Sequence, residues 1–165
     1  MTETVKNQNQ ISVFSFVWLV VISVFFVSLG IKIPGESGYT VLFDAISFKS
    51  IKDMILSISF DCAVDIVMFL LVTISAKPLV SIALSSLVLG FRGVILGAGA
   101  TFCAENAVDS ASVAMIISYA MVSIILLLYT VLINRMNIGA KVRLVLYLLV
   151  TGTAVALRAL PMLLV

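Results

Sequence analysis

The chain has 165 residues, of which 62% are hydrophobic and 11% are charged, with a formal net charge of +2. Soluble domains are usually about half apolar and a quarter charged, so this balance points to lipid as the solvent. Histidine is absent, which removes the commonest general base and zinc ligand, and the small net charge does not suggest a nucleic-acid partner. Cys62 and Cys103 lie in apolar segments and form no CxxC pair. We therefore expect no metal, no cofactor and no side-chain active site.

Five apolar stretches are each close to the ~20 residues that cross a hydrocarbon core. They are residues 11–29, 55–76, 79–101, 111–133 and 142–164. The first resembles a signal peptide, but its apolar part is too long and Ser28-Leu29-Gly30 is a poor cleavage site, so we interpret it as a retained helix. The sequence thus predicts one membrane domain, an all-α polytopic transmembrane helical bundle with about five spans.

Lysine and arginine predict the orientation of this bundle. With five spans, the N-terminus and the turns after the second and fourth spans lie on one side of the membrane. That side holds five basic residues, namely Lys6, Lys77, Arg135, Lys141 and Arg143. The other side holds three, namely Lys32, Lys49 and Lys52. The positive-inside rule then predicts a cytoplasmic N-terminus and an external C-terminus.

The segment between the first two spans has a helical pattern of its own. Over residues 41–54 the apolar side chains recur at roughly helical spacing, and Lys49 and Lys52 come late. This pattern is typical of a short amphipathic helix at the outer membrane face. An N-terminal extension of the second span explains it equally well, and the sequence leaves both interpretations open.

Four ionisable residues fall inside the predicted spans: Asp61, Asp65, Arg92 and Arg158. Such a group is costly in lipid, so it normally faces protein and finds a partner. At about 1.5 Å per residue, Asp65 and Arg92 reach one depth, and Asp61 and Arg158 reach a shallower one. Asp61 and Asp65 are four residues apart and share a helix face. We predict two ion pairs, Asp65–Arg92 and Asp61–Arg158, and expect an Asp65→Arg/Arg92→Asp swap to restore expression lost in each single variant.

The third span also contains a row of small residues, formed by Gly90, Gly93, Gly97 and Ala100. Gly93 and Gly97 make a GxxxG, a spacing that lets another helix backbone approach closely. No Lys-Ser/Thr pair follows the glycines, so they do not form a phosphate-binding loop. The row predicts a helix contact, either within the chain or with a partner.

The turn Ala76-Lys77-Pro78-Leu79-Val80 is followed by Phe91-Arg92-Gly93-Val94-Ile95-Leu96-Gly97. This order resembles the stage II sporulation protein M family, whose members combine a Gly-x-Pro or Gly-Lys-Pro turn with a basic-Gly-x-x-x-Gly span. The layout agrees over Phe14 to Thr101, and the matching residues are concentrated between Ala76 and Gly97. By this resemblance, the signature positions are Pro78, Arg92, Gly93 and Gly97.

The resemblance implies a multi-pass protein of the bacterial plasma membrane without catalysis of its own. Such a protein is a platform that recruits or localises cell-wall hydrolases during sporulation. Its expected partners are the lipid bilayer and other membrane or envelope proteins, and a homo-oligomer is compatible with this role. The alternative is a small transporter or transporter subunit that uses Asp61, Asp65 and Arg92 for proton or substrate coupling. An intramembrane protease is disfavoured, because histidine is absent and both aspartates share one helix face.

Overall fold

The computed structural model describes residues 2–32, 51–75, 77–105, 110–135 and 139–163. Within these ranges the chain forms helices α1 (Thr2–Ile31), α2 (Ile51–Ile74), α3 (Pro78–Glu105), α4 (Ser110–Arg135) and α5 (Ala140–Ala159), followed by a short 3-10 helix (Leu160–Leu163). Each of the five α-helices is long and apolar enough to cross a membrane. The predicted all-α helical bundle with five spans is therefore confirmed.

The helices extend beyond several of the predicted spans. Helix α1 starts at Thr2, because backbone hydrogen bonding continues through polar residues outside the apolar stretch. Helix α2 ends at Ile74, and Pro78 begins α3. A proline suits this position because the first backbone N–H groups of a helix have no acceptor within the helix, so the N–H that proline lacks is not needed. Of the segment 41–54, the last four residues form the first turn of α2. Residues 41–50 lie outside the described residues.

Contacts between side chains define the helix directions. The indole Nε1 of Trp18 donates to Ser86 Oγ at 3.1 Å, and further along the same helices Gly30 lies beside Gly97, so α1 and α3 run parallel. Helices α3 and α4 run antiparallel, and Ser85 and Thr130 share a hydrogen bond of 2.7 Å between them. These directions agree with five spans that alternate in direction. The cytoplasmic position of the N-terminus stays a prediction.

Helix α4 lies at the centre of the bundle and contacts the other four helices. Helix α1 packs on α3 and α4, whereas α2 and α5 pack on each other at the other side of α4. The buried apolar core is made by Leu19, Phe69, Val72, Ile82, Leu89, Val122, Leu126, Tyr129, Ile133 and Ala154. Many large apolar side chains on the outer helix faces are exposed, as expected for surfaces that contact lipid chains.

The glycine row of α3 is a contact site for α1, so its partner is within the chain. A Cβ built on Gly97 would lie 2.8 Å from the backbone nitrogen of Ile31 and closer still to the carbonyl oxygen of Val27. A Cβ on Gly93 would lie 3.1 Å from the backbone nitrogen of Val27. The two backbones therefore touch directly, and a side chain at either glycine would separate them.

Two details of the predicted row differ in the structure. Ala100, the predicted fourth member, is exposed, because α1 ends at Ile31 beside Gly97, about one turn before Ala100. At Gly90, the neighbour is a side chain and not a backbone: a Cβ there would lie 3.1 Å from the ring of Phe26. The closest backbone contact is thus confined to the C-terminal part of the row.

Candidate functional site

Side chains from four helices meet inside the bundle and form what we call the charge cluster: Asp61, Asp65, Arg92, Tyr119 and Arg158. The two aspartates come from one face of α2, and the other three residues come from α3, α4 and α5 in turn. The backbone N–H and C=O groups of a membrane helix are hydrogen-bonded within the helix. The polar interactions between helices at this site are therefore made by side chains. The cluster joins α2 to each of its three neighbours.

Asp65 is the centre of the charge cluster. Its Oδ1 pairs with Nη2 of Arg92, and its Oδ2 accepts a hydrogen bond from Nε of Arg158 at 3.0 Å. The side chain of Asp65 is 1% exposed and that of Arg158 is 0% exposed. One buried carboxylate therefore contacts two guanidinium groups and connects α2 with α3 and α5.

Asp61 lies one helical turn from Asp65 and has different partners. Its Oδ2 accepts a hydrogen bond of 2.5 Å from the hydroxyl of Tyr119, and Nη1 of Arg158 lies 3.9 Å from the same oxygen. The guanidinium carbon of Arg158 also lies 3.7 Å from the centre of the Tyr119 ring, at cation–π distance. Tyr119 thus binds both the carboxylate and the arginine.

The predicted Asp65–Arg92 pair is confirmed, and the predicted Asp61–Arg158 pair is present at 3.9 Å. The structure adds a contact that the depth argument did not predict, because the shorter bond of Arg158 goes to Asp65. Both aspartates project from one face of α2, so a single long arginine side chain reaches both. Tyr119 was absent from the prediction, although a tyrosine hydroxyl in a charge-free span, at the depth of an intramembrane carboxylate, was an available signal.

Apolar residues enclose the charge cluster on both sides along the bundle axis. One helical turn toward the predicted cytoplasmic end lie Phe69, Leu89, Val122 and Ala154, all buried. One turn toward the predicted outer end lie Ile58, Ile95 and Met115, also buried. The cluster contains two carboxylates and two guanidinium groups, so its formal charge is zero. A balanced set of charges is therefore held between two apolar layers.

A second polar layer lies on the predicted cytoplasmic side of the larger apolar layer. Thr73 and Tyr129 share a hydrogen bond of 2.6 Å, which connects α2 with α4. Ser81 Oγ donates to Asn134 Oδ1 at 2.9 Å, which connects α3 with α4. These neutral groups hold the helix ends in register, and the apolar layer separates them from the charges.

Comparisons of the chain with protein-family models, with curated proteins and with solved structures find no match. The class of protein therefore follows from the fold: a multi-pass membrane helical bundle with five candidate spans. Membership of the sporulation family stays a prediction from the residues that suggested it.

Tyr119→Phe should separate the two contacts of this residue. The variant loses the hydroxyl that binds Asp61 but keeps the ring beside Arg158, so we expect a loss of about 1 kcal/mol in the free energy of unfolding. Tyr119→Leu removes both contacts and should lose about twice as much. Unfolding by sodium dodecyl sulfate in mixed micelles measures both values. Equal losses in the two variants would show that the ring contact does not stabilise the fold.

Proposed function

We propose that the protein is a non-enzymatic platform in a bacterial cell membrane. It recruits or localises other membrane or envelope proteins, including those that remodel the cell wall in sporulation. The observation that supports this role most directly is the charge cluster, in which the two carboxylate oxygens of Asp65 each contact a guanidinium group, one of Arg92 and one of Arg158. Intramembrane charges that bind each other fix helix positions and give a rigid body for partners to recognise.

The apolar layers add to this argument. A carrier of protons or polar substrates needs polar groups that reach a charged site from both membrane faces. Here the buried side chains of Phe69, Leu89 and Val122 lie between the charges and the hydroxyl groups of the cytoplasmic half. The arrangement favours a structural role for the charges over a transport path.

The second candidate function is a small transporter or transporter subunit, and one observation favours it. The side chain of Asp61 is 16% exposed, whereas those of Asp65 and Arg158 are almost fully buried. A partly accessible carboxylate next to a buried one can be the first acceptor for a proton from outside. Asp61 is therefore the residue that separates the two functions.

The test is purification of the tagged full-length chain in mild detergent from its native host, with mass spectrometry of the proteins that accompany it. The matched variant is Asp61→Asn, whose amide oxygen still accepts the hydrogen bond from Tyr119. A platform should retain the same envelope proteins, cell-wall hydrolases among them, in both forms.

A parallel measurement records proton flux into proteoliposomes with a pH-sensitive dye. If the protein is a platform, the proton flux should be the same in vesicles with the wild type, in vesicles with Asp61→Asn and in empty vesicles. Flux in the wild type that Asp61→Asn abolishes would overturn the proposal, as would the recovery of an ATPase or transport subunits in place of envelope proteins.

A further inference from the structure

The predicted cytoplasmic end of the bundle carries a concentration of positive charge, which we call the basic end. Its described basic side chains are Lys77, Arg135, Lys141 and Arg143, of which the first three are exposed. The acidic side chains that the structure describes are Asp61 and Asp65 in the charge cluster and Glu105 at the opposite end. At the start of α1 the sequence adds one acidic and one basic residue, which leaves the sum unchanged.

The fold brings these basic residues to adjoining helix ends. Arg135 is the last residue of α4, and Lys141 is the second residue of α5, with only residues 136–139 and Ala140 between them. The bond between Ser81 and Asn134 holds the start of α3 against the end of α4. Lys77, which directly precedes α3, therefore belongs to the same end of the bundle.

Nothing in the first turn of α5 offsets this charge. That turn contains no acidic residue, and its N-cap Gly139 provides no side-chain hydrogen bond. The positive end of the α5 dipole thus adds to the charges of Lys141 and Arg143, although helix starts usually attract acidic side chains. The local potential favours an anion from outside the chain.

Two buried hydrogen-bond donors occur at the same end. Nε of Arg143 and Nδ2 of Asn134 are inaccessible and have no hydrogen-bond acceptor among the described residues. Buried donors normally have an acceptor. A guanidinium group is suited to phosphate oxygens, which it can bind through two of its nitrogens.

We propose that the basic end binds the phosphate group of an anionic phospholipid in the adjoining leaflet. The ends of membrane-spanning helices lie at the depth of lipid phosphates, and basic sites between helices on the cytoplasmic side suit anionic headgroups. The exposed side chains of Arg135 and Lys141 bind the phosphate group, and the half-buried guanidinium group of Arg143 adds to the positive potential beside them. Binding of the lipid does not depend on the proposed platform function.

The experiment is native mass spectrometry of the full-length protein in detergent, with phosphatidylglycerol and phosphatidylcholine of the same chain length. The wild type should retain phosphatidylglycerol preferentially. In Arg135→Gln/Lys141→Gln the affinity for phosphatidylglycerol should fall about 25-fold, at about fivefold for each basic residue removed.

The matched control is Lys32→Gln/Lys52→Gln, which removes two exposed basic residues from the opposite end and should change the affinity less than about twofold. All four positions are exposed, so both double variants are expected to fold. Equal retention of the two lipids by the wild type would overturn the proposal. So would equal losses in the two double variants, because the binding would then follow net charge alone.

Discussion

Asp65→Leu is expected to lower the free energy of unfolding by about 3–5 kcal/mol, because it removes one partner of a buried charge network. The variant leaves Arg92 without the carboxylate it pairs with, and leaves Arg158 with the more distant carboxylate of Asp61 and the ring of Tyr119. Both guanidinium groups are buried, so water cannot replace the lost partner at low cost. The fraction of protein that remains monodisperse after heating in detergent, and detergent-induced unfolding, would measure the loss.

Two second-site changes test whether the loss comes from unpaired charge. In Asp65→Leu/Arg92→Met, the arginine that paired with Asp65 alone is gone, and Arg158 keeps Asp61 and the ring of Tyr119. This double variant should recover most of the stability, since apolar residues of similar volume often replace a buried ion pair without loss. Asp65→Leu/Arg158→Met keeps Arg92 unpaired and should recover less. Equal recovery in both would contradict this division of partners.

The structure also changes the expected result of the charge swap. The depth argument predicted that Asp65→Arg/Arg92→Asp would restore the pair. Because Arg158 Nε lies 3.0 Å from Oδ2 of Asp65, an arginine at position 65 would face a second guanidinium group. The swap is now expected to restore expression only in part, and full recovery would show that the bond between Arg158 and Asp65 adds little.

The sequence was sufficient to predict the five helices, because each apolar stretch approaches the length that a membrane requires. It also predicted the level of the charges, since helical rise converts residue number into depth. Depth does not specify which helices are neighbours, nor how a long side chain divides its contacts between two acceptors. For this reason Asp65 and Arg92 were paired correctly, whereas the second bond of Arg158 was missed.

The glycine row shows the same limit. Its spacing predicted a close helix contact, but nothing in α3 alone indicates that the partner is α1. The structure provides that answer through Gly30, which lies against the Val94–Ala98 part of α3 and is the only described glycine of α1. The sequence does show a glycine on each of two spans that run in the same direction. It does not show that these two spans are neighbours in the bundle, so the contact between them could not be predicted.

Gly97→Val is expected to disrupt the packing of α1 on α3 and to remove most of the folded protein. Even the smaller change Gly97→Ala places a Cβ against the backbone of Val27 and Ile31, and backbone atoms cannot turn aside as a flexible side chain can. Overpacking of this kind costs about 1–3 kcal/mol, and valine adds two further methyl groups at the same point. Thermal stability in detergent and the yield of membrane-inserted protein would both report the effect.

The chain provides a matched control on a different helix. A Cβ built on Gly152 of α5 meets nothing within 4 Å, so Gly152→Ala should be neutral or slightly stabilising, as alanine favours a helix more than glycine does.

Gly30→Ala places a Cβ in the same α1–α3 contact from the other side, so the Gly30→Ala/Gly97→Ala double variant should lose less stability than the two single losses combined. Once the helices have separated to admit one Cβ, the second finds space already made. Full additivity would mean that the two glycines act at separate contacts. A loss of stability in Gly152→Ala equal to that in Gly97→Ala would mean that the replacement of any helical glycine is destabilising, whether or not it lies in the α1–α3 contact.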